Sequence, residues 1–190
     1  KHGDDSPRAG ACNIDVICPS ADAWRNEIPA IGDYTLNGSW TCSGSMINNT
    51  AQDQTPYFLT ANHCGVNSSN ASTMVVYWNF YSPTCGAHGG GSLSTYQTGA
   101  TWRASYGTSD VTLVQLNSSP QSSWGIPYSG WDRNGLNPPS GAGIHHPSND
   151  EKSITFFDSL YHPSHGSSWG CSAYPGPGDN THIRVYWNAA

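Results

Sequence analysis

Charge is scarce in this sequence. Charged residues make up 11% of its 190 positions and the formal net charge is −6, so no basic stripe exists to displace counterions from phosphates, which argues against a nucleic-acid partner. The six cysteines contain no Cys-x-x-Cys pair, which removes the usual thiolate spacing of a structural zinc site. No run of 18 apolar residues is present, so no helix of membrane-spanning length is expected. No stretch of eleven or more residues keeps a helical period. An initiator methionine and a charged-then-apolar leader are also missing, and the chain is expected to be a mature secreted segment freed of its signal and propeptide. Lysine occurs only at Lys1 and Lys152. Finally, no Gly-Asp-Ser-Gly-like turn occurs that would present a nucleophile. The literal Gly-x-Ser-x-Gly match at Gly166–Gly170 lacks the preceding strand and following helix of a nucleophile elbow, so Ser168 is not assigned that part.

What is abundant points to many short strands. Gly (21) and Pro (13), with plentiful Ser, Thr and Asn, suit tight turns, while eight Trp, ten Tyr and four Phe supply a large apolar core. A globule of this length buries roughly 70% of its unfolded surface. An even number of cysteines, starting with the Cys12–Cys18 pair, suggests a disulfide framework made in an oxidising compartment. Strand-like segments recur at Ser39–Ile47, Tyr57–Ala61, Met74–Tyr81, Ala100–Ser105, Asp110–Leu116, Ile154–Phe157 and His182–Trp187, several of them alternating in polarity. Ser20–Ile28 is the one candidate for a short helical turn. Residues 1–11 read as a polar arm tied down at Cys12, and Asn117–Ser123, polar and holding Pro120, reads as a linker between two halves. The stretch Ala87–Leu93, with its Gly89-Gly90-Gly91, is expected to be a mobile surface excursion, since no helix follows that would make it a phosphate cradle.

Two segments carry chemistry. Phe58–Cys64 is an apolar strand running into His63, backed at once by Cys64, and Ser109–Leu116 is a polar turn whose Asp110 opens a second alternating strand. A general base needs an imidazole held rigidly and a carboxylate that fixes its tautomer, and His63 and Asp110 are candidates for both. Cys64 could bridge to Cys42, at the end of the preceding strand, and so staple the histidine loop to its neighbour. His162 and His165 are separated by a proline and lack the helical spacing and partner glutamate of a metallopeptidase. No metal and no cofactor is expected.

Taken in order, Cys12–Val16, Cys42–Ser45, Asn48–Thr50, Tyr57–Ala61, His63–Gly65, Val75–Asn79, Thr108–Asp110, Gly130–Arg133 and Ile144–Pro147 resemble the bacterial lysyl endopeptidase family of secreted, chymotrypsin-like serine proteases, and the likeness covers nearly the whole chain. The resemblance implies an all-β, chymotrypsin-like double β-barrel whose second barrel is incomplete here. Residues 1–117 would be the arm and the first barrel carrying the His63/Asp110 pair, and 118–190 the linker and the start of a second barrel that lacks the nucleophile loop. It further implies His63 as general base, Asp110 as its orienting carboxylate, polypeptide substrates cut after lysine, and a serine carried on a C-terminal companion segment. Trp169 would pack against the catalytic histidine on the substrate side. Six cysteines permit 15 pairings; Cys42–Cys64 and Cys18–Cys85 are expected, leaving Cys12 to Cys171 or to a residue on the companion segment. Asn62 stands where the family often has Ala or His, which leaves the base untouched. Two rival readings are a catalytically inactive protease-like binding module and a carbohydrate-binding β-sandwich; the second leaves the context of His63 and Asp110 unexplained.

Overall fold

A computed structural model describes residues 13–87, 89–136, 138–158, 160–161 and 184–188. Its regular structure is β1 (Ile14–Asp15), β2 (Ile31–Leu36), β3 (Ser39–Ile47), β4 (Tyr57–Thr60), β5 (Val75–Tyr77), β6 (Tyr96–Thr98), β7 (Ala100–Tyr106), β8 (Val111–Leu116), β9 (Gly141–His145), β10 (Ser153–Phe157), β11 (Leu160–Tyr161) and β12 (Arg184–Val185), joined by loops and short 3-10 turns. The fold is all-β. Among the described residues no helix is long and apolar enough to cross a membrane.

Seven strands form one antiparallel sheet in the order β6-β5-β2-β3-β4-β8-β7. Its two outer strands, β6 and β7, are consecutive in the chain and meet at Gly99, so the sheet curls until its edges join. Gly99 has φ +81 and an added Cβ would overlap the Asn117 amide, so only glycine makes this corner. The hairpin between β2 and β3 turns at Asn37-Gly38, both at positive φ (50 and 77), as a two-residue turn matched to strand twist requires. Alternation sets the inward faces of β4 and β8: Phe58, Thr112, Val114 and Leu116 are buried. Phe58 packs edge-on to Trp78, with ring centroids 5.8 Å apart, and to Tyr34 at 5.9 Å. Two glycines paired across β2 and β3, Gly32 and Gly44, leave room for these rings. A Cβ on Gly32 would meet Trp78 at 2.9 Å, and one on Gly44 would overlap Phe58. Trp124, Ile126 and Tyr128, beyond the Asn117–Ser123 stretch, still pack against this core.

A second sheet, β1-β10-β9, joins the first strand of the chain to two late ones, and β11 and β12 pair in a separate two-stranded ribbon. Its core joins Val16, Ala21 and Ile28 to Ile154. The candidate helical turn at Ser20–Ile28 is found as a 3-10 turn over Pro19–Trp24. Cys18 is bonded to Cys85, with Cα atoms 4.8 Å apart, which ties this unit to the loop after β5.

The glycine-rich loop differs from the expected free excursion. Gly86 donates its N–H to the buried Asp15 carboxylate at 2.8 Å, and Gly89 and Gly91 donate theirs to the buried Glu151 carboxylate. A buried carboxylate without donors would be costly, and glycine lets the backbone approach it. A Cβ on Gly91 would stand 2.6 Å from Glu151 Oε1.

The two sheets meet on the outer side of β2, which is why that strand is buried on both faces. Asp33 is fully buried there. From the other unit, His146 donates its backbone N–H to Ser43 Oγ at 2.8 Å and Lys152 donates its own to Phe80 O at 2.9 Å, while Lys152 Nζ donates to Ile28 O within its own unit at 3.0 Å.

Candidate active site

Strand register places the base beside its carboxylate. β4 and β8 pair antiparallel with Thr60 opposite Thr112, so two residues further on Asn62 falls opposite Asp110, and the Asn62 N–H donates to Asp110 O at 3.1 Å. His63 is then the first residue past the ladder. It sits in a single 3-10 turn, Asn62–Cys64, which Gly65 closes at φ 76, a left-handed ending that glycine takes without strain. Cys64 is bonded to Cys42 on β3, with Cα atoms 6.3 Å apart. The histidine is thus fixed on one side by the ladder and on the other by the disulfide.

Asp110 is held as firmly. It closes a turn in which its N–H donates to Gly107 O at 3.2 Å, and its φ of 52 lies in the left-handed region, where a non-glycine residue is uncommon and a short polar side chain is the usual occupant. This backbone conformation lets one carboxylate serve His63 twice. Oδ1 accepts the His63 backbone N–H at 2.7 Å, and Oδ2 lies 2.7 Å from His63 Nδ1. An ionised carboxylate only accepts, so Nδ1 carries the ring proton and donates it. The lone pair of Nε2 is left to act as base. The imidazole is about half exposed (52%) and the carboxylate largely covered (14%), so the pair presents its base outward and keeps its charge inward, where water competes less.

Behind the pair lies a braced wall. Thr60 donates its hydroxyl to Ser43 O at 2.9 Å and lies 3.0 Å from Tyr34 Oη. Burial, and secondarily the nearby Asp33, outweighs that hydroxyl contact and pushes the Tyr34 phenol up to about 12, so it stays neutral. Ser105 and Thr112 share a hydroxyl contact of 2.8 Å on the next pair of strands. The polar atoms of Cys42, His63 and Cys64 approach one another within 4.8 Å, yet both sulfurs are spent in the disulfide and offer no thiolate to a metal.

The two candidate catalytic residues, 47 positions apart, are therefore brought together, and Cys42, Cys64, Cys18 and Cys85 form two bridges. Cys12, Cys171, Ser168 and Trp169 lie outside the described residues. Sequence reasoning missed the brace of Tyr34, Ser43 and Thr60, and the buried ionisable groups Asp33, His146, Glu151 and Lys152 behind it. The adjacency of Glu151 and Lys152 after a His-Pro turn was the one available signal.

The profile of a family described as lysyl endopeptidase, C-terminal domain, matches residues 6–190. The lysyl endopeptidase of Pseudomonas aeruginosa is 26% identical over 156 residues, which is 76% of this chain and 33% of that protein. The chain thus spans about a third of the length of the curated relative it matches. Among solved structures, a crystal structure of the inactive form of Rv3671c protease aligns with a TM-score of 0.47 at 12% identity, over 90% of this chain and 71% of that one.

Proposed function

Because the chain belongs to the lysyl endopeptidase C-terminal domain family, a family of proteases with a chymotrypsin-like double-barrel fold, we propose that it is the base-bearing part of a secreted serine endopeptidase that cleaves polypeptides after lysine. The observation that carries this reading is the double hold of Asp110 on His63, through the backbone N–H and Nδ1, both at 2.7 Å. An imidazole oriented at two points by one covered carboxylate is what general-base chemistry at neutral pH requires.

In this reading a serine hydroxyl on a C-terminal companion segment loses its proton to His63 Nε2 as its oxygen adds to the substrate carbonyl. Asp110 stays ionised and stabilises the imidazolium that forms. The same proton passes to the departing amine as the C–N bond breaks, leaving an acyl-serine. A water then repeats the sequence, giving its proton to His63 and its oxygen to the acyl carbon, and the serine recovers its hydrogen. Secretion is supported by the two disulfides, which persist in oxidising surroundings.

The test uses the intact protein. It is expected to hydrolyse peptides after lysine and to be labelled by a fluorophosphonate, a reagent for activated serines, and a His63→Ala variant is expected to lose both properties. Undiminished hydrolysis by that variant would reject the mechanism. A native protein that takes no label and cuts nothing would instead be an inactive binding module.

A further inference from the structure

Lys152 is the only lysine in the sequence besides Lys1, and its relative exposure is 0%. Its neighbours are as closed: Glu151 is 3% exposed, Ser153 1% and Ile154 0%. The backbone is held on both sides of the Lys152–Ser153 bond. Lys152 donates its N–H to Phe80 O at 2.9 Å and accepts from Val16 N at 3.4 Å, and Ser153 begins the central strand of the second sheet, between β1 and β9. Its ammonium points inward, donating to Ile28 O at 3.0 Å. A protease that selects lysine must draw that ammonium into a pocket and lay the flanking residues out as an extended strand. Here neither the side chain nor the scissile bond can be offered without opening the junction between the two sheets.

We propose that the burial of Lys152 is a safeguard against self-digestion: the Lys152–Ser153 bond is closed to the protein's own activity in the folded state and becomes cleavable only when the sheets separate. This rests on the lysine preference proposed above. Hydrolysis there would add water across the Lys152–Ser153 bond, the hydroxyl going to the lysyl carbonyl and a proton to the serine amine, and would separate β10 from the loop that caps it. Arginine sites need no such protection, and Arg25 and Arg103 lie on the surface.

Two arms test the proposal. In the first, the intact His63→Ala protein is incubated with an independent lysine-cutting endopeptidase across a urea series, and the bond is followed by peptide mass. Cleavage at Lys152 is expected to be at least ~1,000-fold slower in buffer than in unfolding urea, and to track the unfolded fraction. Ready cleavage at Lys152 in buffer would overturn the safeguard while leaving the lysine preference intact. In the second, Leu136→Lys places a lysine at a position 78% exposed. The otherwise wild-type active protein carrying it is expected to cut itself after residue 136. If the added endopeptidase cuts there and the active protein does not cut itself, the lysine preference fails and the safeguard falls with it.

Discussion

Asp110 grips His63 at two points, Oδ1 taking the backbone N–H and Oδ2 the ring Nδ1, each at 2.7 Å. Only the second contact sets the tautomer, so the two can be separated by substitution. Asp110→Asn keeps an oxygen for the backbone N–H and turns an amide NH2 toward Nδ1. The ring then moves its proton to Nε2, where it cannot act as base. We expect kcat/KM of the intact protein to fall by ~10⁴ with the melting temperature little changed. A loss of less than tenfold, measured with a lysyl peptide substrate, would remove Asp110 from the mechanism.

The two disulfides should fail in different ways. Cys18–Cys85 closes a loop of 67 residues and Cys42–Cys64 one of 22, and the loop-entropy relation assigns them ~4 and ~3 kcal/mol. Only the shorter bridge touches the base. Paired Cys→Ser replacement of Cys18 and Cys85 should therefore cost more stability, and replacement of Cys42 and Cys64 more activity per unit of stability lost, because the turn holding His63 is freed from β3. Urea midpoints and kcat measured at a temperature where both variants are folded decide the matter. Equal loss of kcat in the two would show that the Cys42–Cys64 bridge does not position the base.

The site was readable where local chemistry repeats in sequence. His63 followed by Cys64, and Asp110 opening an alternating strand, are short-range signals, and the antiparallel register of β4 and β8 turns them into a contact. β3 runs over Ser39–Ile47 as its composition suggests. β2 was harder to place, because a strand covered on both faces does not alternate. β6 has only three residues, too few for a period to show. Least legible were the groups between the sheets. Nothing local distinguishes Asp33 from a solvated charge, since its burial is decided by a strand more than a hundred residues away in the sequence.

Acid should weaken the fold through His146. Its ring is stacked on Phe80 with centroids 5.8 Å apart. Burial, and then the positive charge of Lys152, pull it down to about 3, against a smaller opposing effect of its bond to Asp150 O. The folded form therefore takes up no proton here until far below pH 6.5, whereas the unfolded chain binds one from that pH downward. Stability from this group is present above about pH 6.5 and is lost as pH falls toward 3, by up to ~1.4 kcal/mol per pH unit. Asp33 has the opposite sign over part of the range, because burial raises its carboxyl, so the informative quantity is the difference between variant and wild type. His146→Phe, which keeps a ring on Phe80, is expected to be less stable at pH 7.5 and to close that gap, or reverse it, near pH 4. Urea midpoints that fall in parallel for both proteins would show that His146 is not the titrating group.

Asp33 and Lys152 are buried ionisable groups, an acid and a base, one on each side of the junction between the sheets. Burial pushes the carboxyl up and the ammonium down, and each partly restores the charge of the other. Asp33 accepts the Tyr34 N–H at 3.1 Å through Oδ1, while Oδ2 meets no donor among the described residues. Removing either partner takes away the attraction that favours the other's charge and leaves a buried polar group less well matched, and we expect Lys152→Met or Asp33→Asn alone to cost ~1–3 kcal/mol. The double variant leaves no charge behind. It should recover part of the loss, giving a coupling of ~0.5 kcal/mol or more in a double-mutant cycle read from urea midpoints at pH 7.5. Losses that simply add would mean that the two groups do not act on each other, and the lysine would then be held by Ile28 O alone. Because Lys152→Met also deletes the internal lysyl bond, the cycle identifies what keeps the cleavable residue in place: a strong coupling means that any replacement free of the self-digestion hazard must also change Asp33.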